Sequence, residues 1–418
     1  MNILDVLFLY AMFSIWILLF MNIVLTYFGY KFSMEVREKR FNVIRDMREF
    51  PKVSIMIPAH NEGIVIGKTL LSMINLNYPK EAYEIIVIND NSSDNTGAVI
   101  EGIKARYPES NIIHIETDKE SGGKGKSNAL NIGYSHASGE LIAVYDADNT
   151  VNNMALRYLV YEILSDDKYG AVIGMFRTRN KEKNWLTRFI NIETLSFQWM
   201  AQAGRWRMMK LCTIPGTNFV IRRSIIEQIG GWDPKAIAED TEISFRIYQL
   251  GYKISFIPLA KTFEQEPETI KVWVKQRTRW VSGNIYVLSK FIKEAFKTRN
   301  TQIFFDLFYF FSVYIFFLSS ILVSDAIFII GLLTDYRITV TGNFIMIWVL
   351  SYFVFILQIA IALSIEKGES NFKNIRLLFV MYFTYCQLWL FVAIKGVYSY
   401  IKTNVMKLET KWYKTERF

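Results

Sequence analysis

Two aspartates separated by one residue close an apolar run, at Asp146-Ala147-Asp148. Carboxylates at this spacing offer oxygen ligands to a hard divalent cation that bridges a diphosphate. A chain with 39 acidic residues in 418 contains such triplets by chance, and an isolated triplet is more often a solvated turn. The position of this one, directly after the run LIAVY, favours metal binding.

Two further acidic sites each leave a choice between structure and chemistry. Glu239-Asp240 precedes a predicted helix over residues 241–250, so Asp240 either caps that helix or acts as a general base toward an attacking hydroxyl. Asp90 follows the run IIVIN, where its carboxylate either caps the next helix or accepts a hydrogen bond from N3 of uracil. The residues alone leave both choices open.

A glycine-rich loop with the sequence SGGKGKS spans residues 121–127. It does not match the Walker A motif, because the position of that motif's first glycine holds Glu120. Lys126 nevertheless leads into a helix-like stretch, and a lysine at a helix N-terminus suits a diphosphate because its charge and the helix dipole act together. The alternative is a surface turn.

Cationic and aromatic side chains alternate with polar ones in the sequence QRTRW at residues 276–280. Gln276, Arg277 and Arg279 are suited to hold a diphosphate leaving group. Trp280 provides a flat face on which a sugar ring can stack. The alternative is a basic helix at a membrane surface, anchored by its tryptophan.

The elements that must position these residues read as an α/β domain. Apolar β-rich runs alternate with helix-like stretches between residues 51 and 258, namely VSIMI at Val53, EIIVI at Glu84, IIHI at Ile112, LIAVY at Leu141 and AVIG at Ala171. This order predicts a mostly parallel sheet flanked by helices, with ligands beyond the carboxyl ends of the strands. The polar residues that follow the first run, up to Glu62, are therefore also candidates for the site.

Apolar stretches flank this domain on both sides. Residues 8–27 carry no charge over twenty positions, which is the length of a membrane-spanning helix. A cleaved signal peptide is the alternative, but no basic residue precedes the stretch and no small-residue cleavage site follows it. A basic cluster after the stretch places the middle of the chain in the cytosol by the positive-inside rule. Its members are Lys31, Arg37, Lys39, Arg40, Arg45 and Arg48.

Three more apolar stretches, at about residues 304–333, 344–365 and 377–397, predict a C-terminal bundle. Three crossings would leave the basic tail outside, against the same rule. The first stretch is long enough for an interfacial segment or a second pass. The loop 366–376 is cytosolic if that stretch crosses once and external if it crosses twice.

The composition supports this organisation and excludes other classes of protein. Hydrophobic residues make up 51% and aromatic residues 16% of the chain, more than in an ordinary soluble protein. With only Cys212 and Cys386, neither a disulfide scaffold nor a cysteine zinc site can be built. The net charge of +9 would suit a nucleic acid, an anionic membrane or a phosphorylated substrate, and composition alone does not choose among them. From the motifs and the apolar stretches we expect no nucleic-acid partner.

Taken in order along the chain, these residues resemble the signature of the inverting family 2 glycosyltransferases. That signature is an aspartate that contacts uracil, then DxD, ED and QxxRW. The counterparts here are Asp90, Asp146 with Asp148, Glu239 with Asp240, and Gln276 with Arg279 and Trp280. The likeness covers about residues 50–300 and is strongest to the membrane-embedded processive synthases of cellulose, mixed-linkage glucan, chitin, hyaluronan and poly-N-acetylglucosamine.

The resemblance implies a GT-A fold, a UDP-sugar donor, an Mg²⁺ or Mn²⁺ ion and a β-linked product. It makes Asp240 the catalytic base, Lys126 a pyrophosphate contact, and Gly216 and Thr217 part of the acceptor side. A proline, Pro215, stands where cellulose synthases have a cysteine before that glycine. This departure argues against a pure β-1,4-glucan.

We therefore predict a plasma-membrane synthase that polymerises a UDP-sugar and passes the polymer through the bilayer, with accessory subunits undefined. Glucose is the favoured sugar, and N-acetylglucosamine is the alternative. A transferase that adds one sugar to a lipid, or a scaffold with an inactive domain, are further alternatives. The expected regions are a membrane helix at 1–30, the GT-A domain at 31–260, interface helices at 261–300, a membrane bundle at 301–400 and a basic tail at 401–418.

Overall fold

The computed structural model describes residues 2–298, 301–334, 339–340, 342 and 344–406. The predicted basic tail lies outside the described residues from position 407 onward. The side chains of residues 38–46, which include three members of the predicted basic cluster, also lie outside the description.

A single mixed sheet forms the centre of the α/β domain, with eight strands among the described residues. The strands are β1 (Val53–Ala59), β2 (Tyr83–Asp90), β3 (Ile112–Thr117), β4 (Leu141–Val144), β5 (Thr150–Val151), β6 (Tyr169–Thr178), β7 (Phe219–Arg222) and β8 (Lys253–Glu264). Their order across the sheet is β3-β2-β1-β4-β7-β6-β8-β5.

The five strands predicted from apolar runs are all present. β1, β2, β3 and β4 pair in parallel, so their carboxyl ends meet at one edge, as the alternation of strands and helices predicts. β7 runs antiparallel between β4 and β6, and β8 is parallel to β6. The sheet is therefore a parallel half joined to a mixed half, and the second half was not predicted in detail.

Helices cover both faces of the sheet and continue into the apolar C-terminal part. They are α1 (Ile3–Asp46), α2 (Ile66–Ile74), α3 (Thr96–Arg106), α4 (Lys126–His136), α5 (Ala155–Leu164), α6 (Trp185–Ser196), α7 (Ala203–Met209), α8 (Arg223–Ile229), α9 (Glu239–Gln249), α10 (Ile270–Thr298), α11 (Thr301–Phe311), α12 (Leu318–Leu333), α13 (Phe344–Ile365), α14 (Phe372–Met381) and α15 (Tyr385–Tyr400). Short π-helical turns join α6 to α7 and α11 to α12.

Among the described residues, three helices are long and apolar enough to cross a membrane, at Ile3–Arg37, Leu307–Leu333 and Met346–Ile365. The pair Phe372–Met381 and Tyr385–Asn404 passes the same test together but is bent by 51° at its break, and would make a fourth. Several apolar helices are thus available to hold the chain in a bilayer.

The loop between α13 and α14 is held on the α/β domain by buried ion pairs. Glu369 is 1% exposed and binds Arg177 and Lys181, each at 2.6 Å. Glu366 binds Arg177 and Lys261. At the other end of the bundle, Asp5 accepts a hydrogen bond from the Thr339 amide at 2.9 Å. The stretch 304–333 therefore runs once along the bundle, and the loop 366–371 lies on the side of the α/β domain.

Two glycines allow the N-terminal apolar helix to cross the α6–α7 segment at very short range. A Cβ atom added to Gly29 would lie 1.9 Å from the carbonyl oxygen of Trp199, and one added to Gly204 would lie 2.3 Å from that of Leu25. Real Cβ atoms do not approach so closely, so both positions require glycine. This contact anchors the segment between α6 and α7 against α1.

Candidate active site

Lys126 lies at the centre of a cluster formed by three separate loops. Its ammonium group donates to Asp146 Oδ1 and to the Gly216 carbonyl oxygen, both at 2.7 Å, and lies 3.4 Å from Glu239 Oε1. Burial alone would lower the pKa of Lys126, but the charges of Asp146, Glu239 and Asp240 raise it above its usual value. The lysine is therefore a fixed cation at the N-terminus of α4. A helix N-terminus also attracts anions, so the lysine and the helix together favour an anionic ligand.

Asp240 occupies the second position of α9 and does not cap that helix, because the capping position belongs to Ala238. Its Oδ1 accepts from the Thr241 amide at 2.7 Å, and its Oδ2 lies close to the backbone of Gly216. Burial, together with the charge of Glu239, raises the pKa of Asp240 to about 7, against the opposing charge of Lys126. Such a carboxylate is suited to take up and release a proton near neutral pH.

Asp90 ends β2 and is held by groups from two neighbouring segments. Its Oδ1 accepts from the Thr117 hydroxyl at 3.0 Å and from the Gly123 amide at 2.9 Å. The next helix, α3, has Asn95 at its capping position, so Asp90 does not cap it. The Thr117 hydroxyl and the glycine-rich loop that leads to Lys126 therefore hold the Asp90 carboxylate at the end of β2.

The two aspartates after β4 differ in their exposure to solvent. Asp146 is partly exposed and shares its Oδ1 with Lys126, whereas Asp148 is 3% exposed, which excludes a solvated turn. No group of three or more His, Cys, Asp or Glu side chains among the described residues could hold a metal ion. Two carboxylates fit a cation that takes its remaining ligands from a diphosphate and water, as Mg²⁺ usually does.

A second pair of acidic residues, not identified from the sequence, lies near Asp148. Glu264 ends β8, and Glu266 follows two residues later. Burial and the neighbouring charges of Glu266 and Asp148 raise the pKa of Glu264 well above its usual range. The spacing Glu264-Gln265-Glu266 after an apolar strand is the same signal as Asp146-Ala147-Asp148. The apolar runs place the end of the predicted sheet near residue 258, so they do not point to this pair.

Arg277 on α10 is buried, and its charge is balanced locally. It is 1% exposed, lies 3.1 Å from Glu193 Oε2 and donates to Gln276 Oε1 at 3.0 Å. Its guanidinium carbon lies 3.8 Å from the centre of the Trp280 ring, close enough for a cation–π contact. The prediction that Arg277 holds a leaving group stays a prediction, because its guanidinium here binds Glu193.

The remaining predicted residues differ in their contacts. Arg279 lies near enough to Asp240 for its charge to lower the pKa of that carboxyl. Trp280 is 39% exposed, so part of its ring is open to a ligand. Thr217 is buried, and its hydroxyl accepts from the Asp146 amide at 3.0 Å. Glu62 follows β1, and its amide donates to the Thr96 hydroxyl at 2.8 Å.

Comparison with known proteins gives three results that agree with this geometry. Residues 51–283 match the family model described as "Glycosyltransferase like family 2". The chain is 49% identical over 414 residues to "Probable glycosyltransferase YdaM" of Bacillus subtilis, covering 99% of this chain and 98% of that protein. It is 31% identical over 273 residues to "Poly-beta-1,6-N-acetyl-D-glucosamine synthase" of Staphylococcus epidermidis, covering 64% of each chain.

Among solved structures, the fold is similar to that of a mannosyltransferase from Pyrobaculum calidifontis solved with GDP-mannose and Mn²⁺. The TM-score is 0.54 at 16% identity, covering 94% of this chain and 100% of that one. At this identity the likeness concerns the fold alone, which is the predicted GT-A type.

Proposed function

This chain belongs to the family 2 glycosyltransferases, and from that premise we propose that it is a membrane synthase that polymerises N-acetylglucosamine from UDP-N-acetylglucosamine into a β-linked polysaccharide. The staphylococcal relatives are named for a poly-β-1,6-N-acetylglucosamine product. They favour this sugar over the glucose that we expected from the sequence. The alignment with the Staphylococcus epidermidis relative covers 64% of each chain, and on this likeness we propose both the sugar and the β-linkage.

The observation that carries the proposal is the position of Asp240. Its carboxylate lies beside Gly216, the predicted acceptor side, and near Lys126, the predicted leaving-group side. In the proposed reaction Asp240 accepts the proton of the acceptor hydroxyl. The hydroxyl oxygen bonds to the anomeric carbon as the bond from that carbon to the diphosphate breaks, which inverts the configuration.

The leaving diphosphate carries negative charge that buried cations can stabilise. Lys126, at the N-terminus of α4, is already oriented by Asp146 and the Gly216 carbonyl, so little reorganisation is needed. Arg279 adds a second positive charge. Asp146 and Asp148 would hold an Mg²⁺ or Mn²⁺ ion, which supplies further charge neutralisation when bound.

The nucleotide and the acceptor would lie at opposite ends of this cluster. Asp90 Oδ2 accepts from N3 of uracil, while Oδ1 stays bonded to the Gly123 amide. The open face of Trp280 stacks on the terminal sugar of the growing chain. Glu239 orients Lys126, and the Thr217 hydroxyl holds the backbone amide of Asp146.

The membrane arrangement follows from the same proposal. We place the GT-A domain in the cytosol of a plasma-membrane protein, with α10 at the interface and α12, α13 and α15 beside the polymer's path. The loop 366–371, bound to the α/β domain, supports this orientation. A bilayer-spanning route is what a processive synthase needs, because its product leaves the cell as it grows.

Incubation of the purified protein with separate radiolabelled UDP-sugars tests the proposal. We expect a polymer only from UDP-N-acetylglucosamine, degraded by a glycosidase specific for β-linked N-acetylglucosamine. A polymer formed from UDP-glucose would overturn the sugar assignment. A single labelled glycolipid would instead support the lipid transferase alternative.

A further inference from the structure

A chain of hydrogen bonds and one cation–π contact joins the apolar helix α15 to the tryptophan of the QxxRW sequence. Trp273 Nε1 donates to the Tyr385 hydroxyl at 3.0 Å, and that hydroxyl lies 2.5 Å from Glu193 Oε2. The same carboxylate oxygen lies 3.1 Å from Arg277, whose guanidinium is stacked on Trp280. Three helices, α6, α10 and α15, thus meet at one carboxylate.

The direction of these hydrogen bonds is fixed by chemistry. An indole N–H can only donate, so the Tyr385 oxygen accepts from Trp273 and must donate its own hydrogen to Glu193. Hydrogen bonds to an ionised carboxylate are short and strong, and the 2.5 Å distance fits this class. Glu193 is therefore held by Tyr385, and its orientation decides where Arg277 lies.

Burial makes the chain of contacts rigid. Trp273, Arg277 and Tyr385 are 0%, 1% and 2% exposed. Tyr385 also stacks on Phe189, with ring centres 5.4 Å apart. A buried guanidinium that lost its carboxylate would be costly, so Arg277 must follow Glu193. Trp280, stacked at 3.8 Å, must then follow Arg277.

The place of Tyr385 in the fold suggests what this rigidity serves. It is the first residue of α15, directly after the break where the apolar pair of helices bends by 51°. α15 packs tightly along α10, since a Cβ atom added to Gly396 would lie 2.5 Å from Val281. A shift of α15 at its break would therefore reach the QxxRW sequence, and the Tyr385 hydroxyl links α15 to Glu193.

We propose that Tyr385 and Glu193 are positioning residues, through which the apolar helix α15 sets where Trp280 holds the acceptor sugar. This inference rests on the proposed function, in which the open face of Trp280 is the acceptor platform. A displaced platform leaves the donor bound while the acceptor hydroxyl lies out of line with the anomeric carbon. Water then attacks that carbon instead, releasing UDP and free sugar.

Tyr385→Phe tests the inference by removing one hydroxyl and keeping the ring. Two quantities are measured with UDP-N-acetylglucosamine, namely UDP released per sugar incorporated and the KM for the donor. We expect the ratio to rise on the order of fivefold with a donor KM within about twofold of the wild type. Tyr382→Phe, in the same break and outside this hydrogen-bond chain, is the matched control with an unchanged ratio.

Glu193→Gln carries the same test if the first variant fails to fold. The UDP-to-sugar ratio of the double variant should exceed that of neither single variant by much, because both substitutions act on the same contact between Tyr385 and Glu193. A Tyr385→Phe or Glu193→Gln ratio equal to that of the control, with incorporation and UDP release falling together, would overturn the inference. Trp280→Ala distinguishes the role of Trp280 as acceptor platform from its positioning by Tyr385 and Glu193. If it leaves the ratio unchanged, the acceptor platform itself is wrong; if it raises the ratio while Tyr385→Phe does not, only the link to α15 fails.

Discussion

Replacing Asp240 with Asn should stabilise the folded protein while removing the proposed general base. A carboxyl whose pKa rises from 3.8 to about 7 favours the protonated form in the folded protein by up to about 4 kcal/mol. The folded state therefore binds more protons than the unfolded state between these two values, so stability falls as pH rises through this window. The full destabilisation caused by ionised Asp240 is present above its folded-state pKa. An asparagine side chain is uncharged at every pH and carries no such cost.

The expected gain therefore depends on pH in a defined way. At about pH 8 the Asp240→Asn variant should be more stable by up to about 4 kcal/mol, and at about pH 5.5 the gain should shrink by about 2 kcal/mol. Thermal unfolding of the purified protein at both pH values measures the difference, and the midpoint should rise by roughly 10 °C at most. Asp167→Asn, at a fully exposed position, is the matched control. A variant that is less stable than the wild type above neutral pH would refute the reasoning.

Three other outcomes follow from the structure. Gly29→Ala should lower the unfolding midpoint, at a cost of about 1–3 kcal/mol, because its Cβ would meet the Trp199 carbonyl, whereas Gly331→Ala, with nothing within 4 Å, should not. Glu369→Gln should cost about 3 kcal/mol by removing a buried charge that Arg177 and Lys181 share, and an unchanged unfolding midpoint would show that this loop does not hold α13 and α14 on the α/β domain. Chelation of divalent cations should reduce sugar incorporation at least about 100-fold, with recovery on adding Mn²⁺ or Mg²⁺, and full activity in chelator would exclude a metal at the two aspartates.

The sequence predicted the parallel half of the sheet because its signal is local. Continuous apolar runs of four to eight residues mark buried strands, and β1 to β4 each have one. The polar residues after those runs are predicted at one edge by the same rule. Asp90 ends β2 and Asp146 follows β4, two strands of the parallel half, and Asp146 contacts Lys126 there. β7 gave no such signal, since its sequence FVIR contains an apolar run of only three residues.

The parts of the site that the sequence missed depend on contacts distant in the chain. Glu193 and Tyr385 are separated by 192 positions, and no motif links them. The choice between base and cap at Asp240 also required coordinates, because both roles use an aspartate at the start of a helix. The single run of residues 304–333 along the bundle follows from the ion pairs of Glu366 and Glu369, which composition does not reveal.

The most direct test of the account compares sugar transfer by the wild type and by Asp240→Asn at saturating UDP-N-acetylglucosamine. The account predicts that incorporation of labelled sugar into polymer falls at least about 100-fold in the variant, while Asp167→Asn keeps wild-type activity. Polymer formation by Asp240→Asn at the wild-type rate would contradict it.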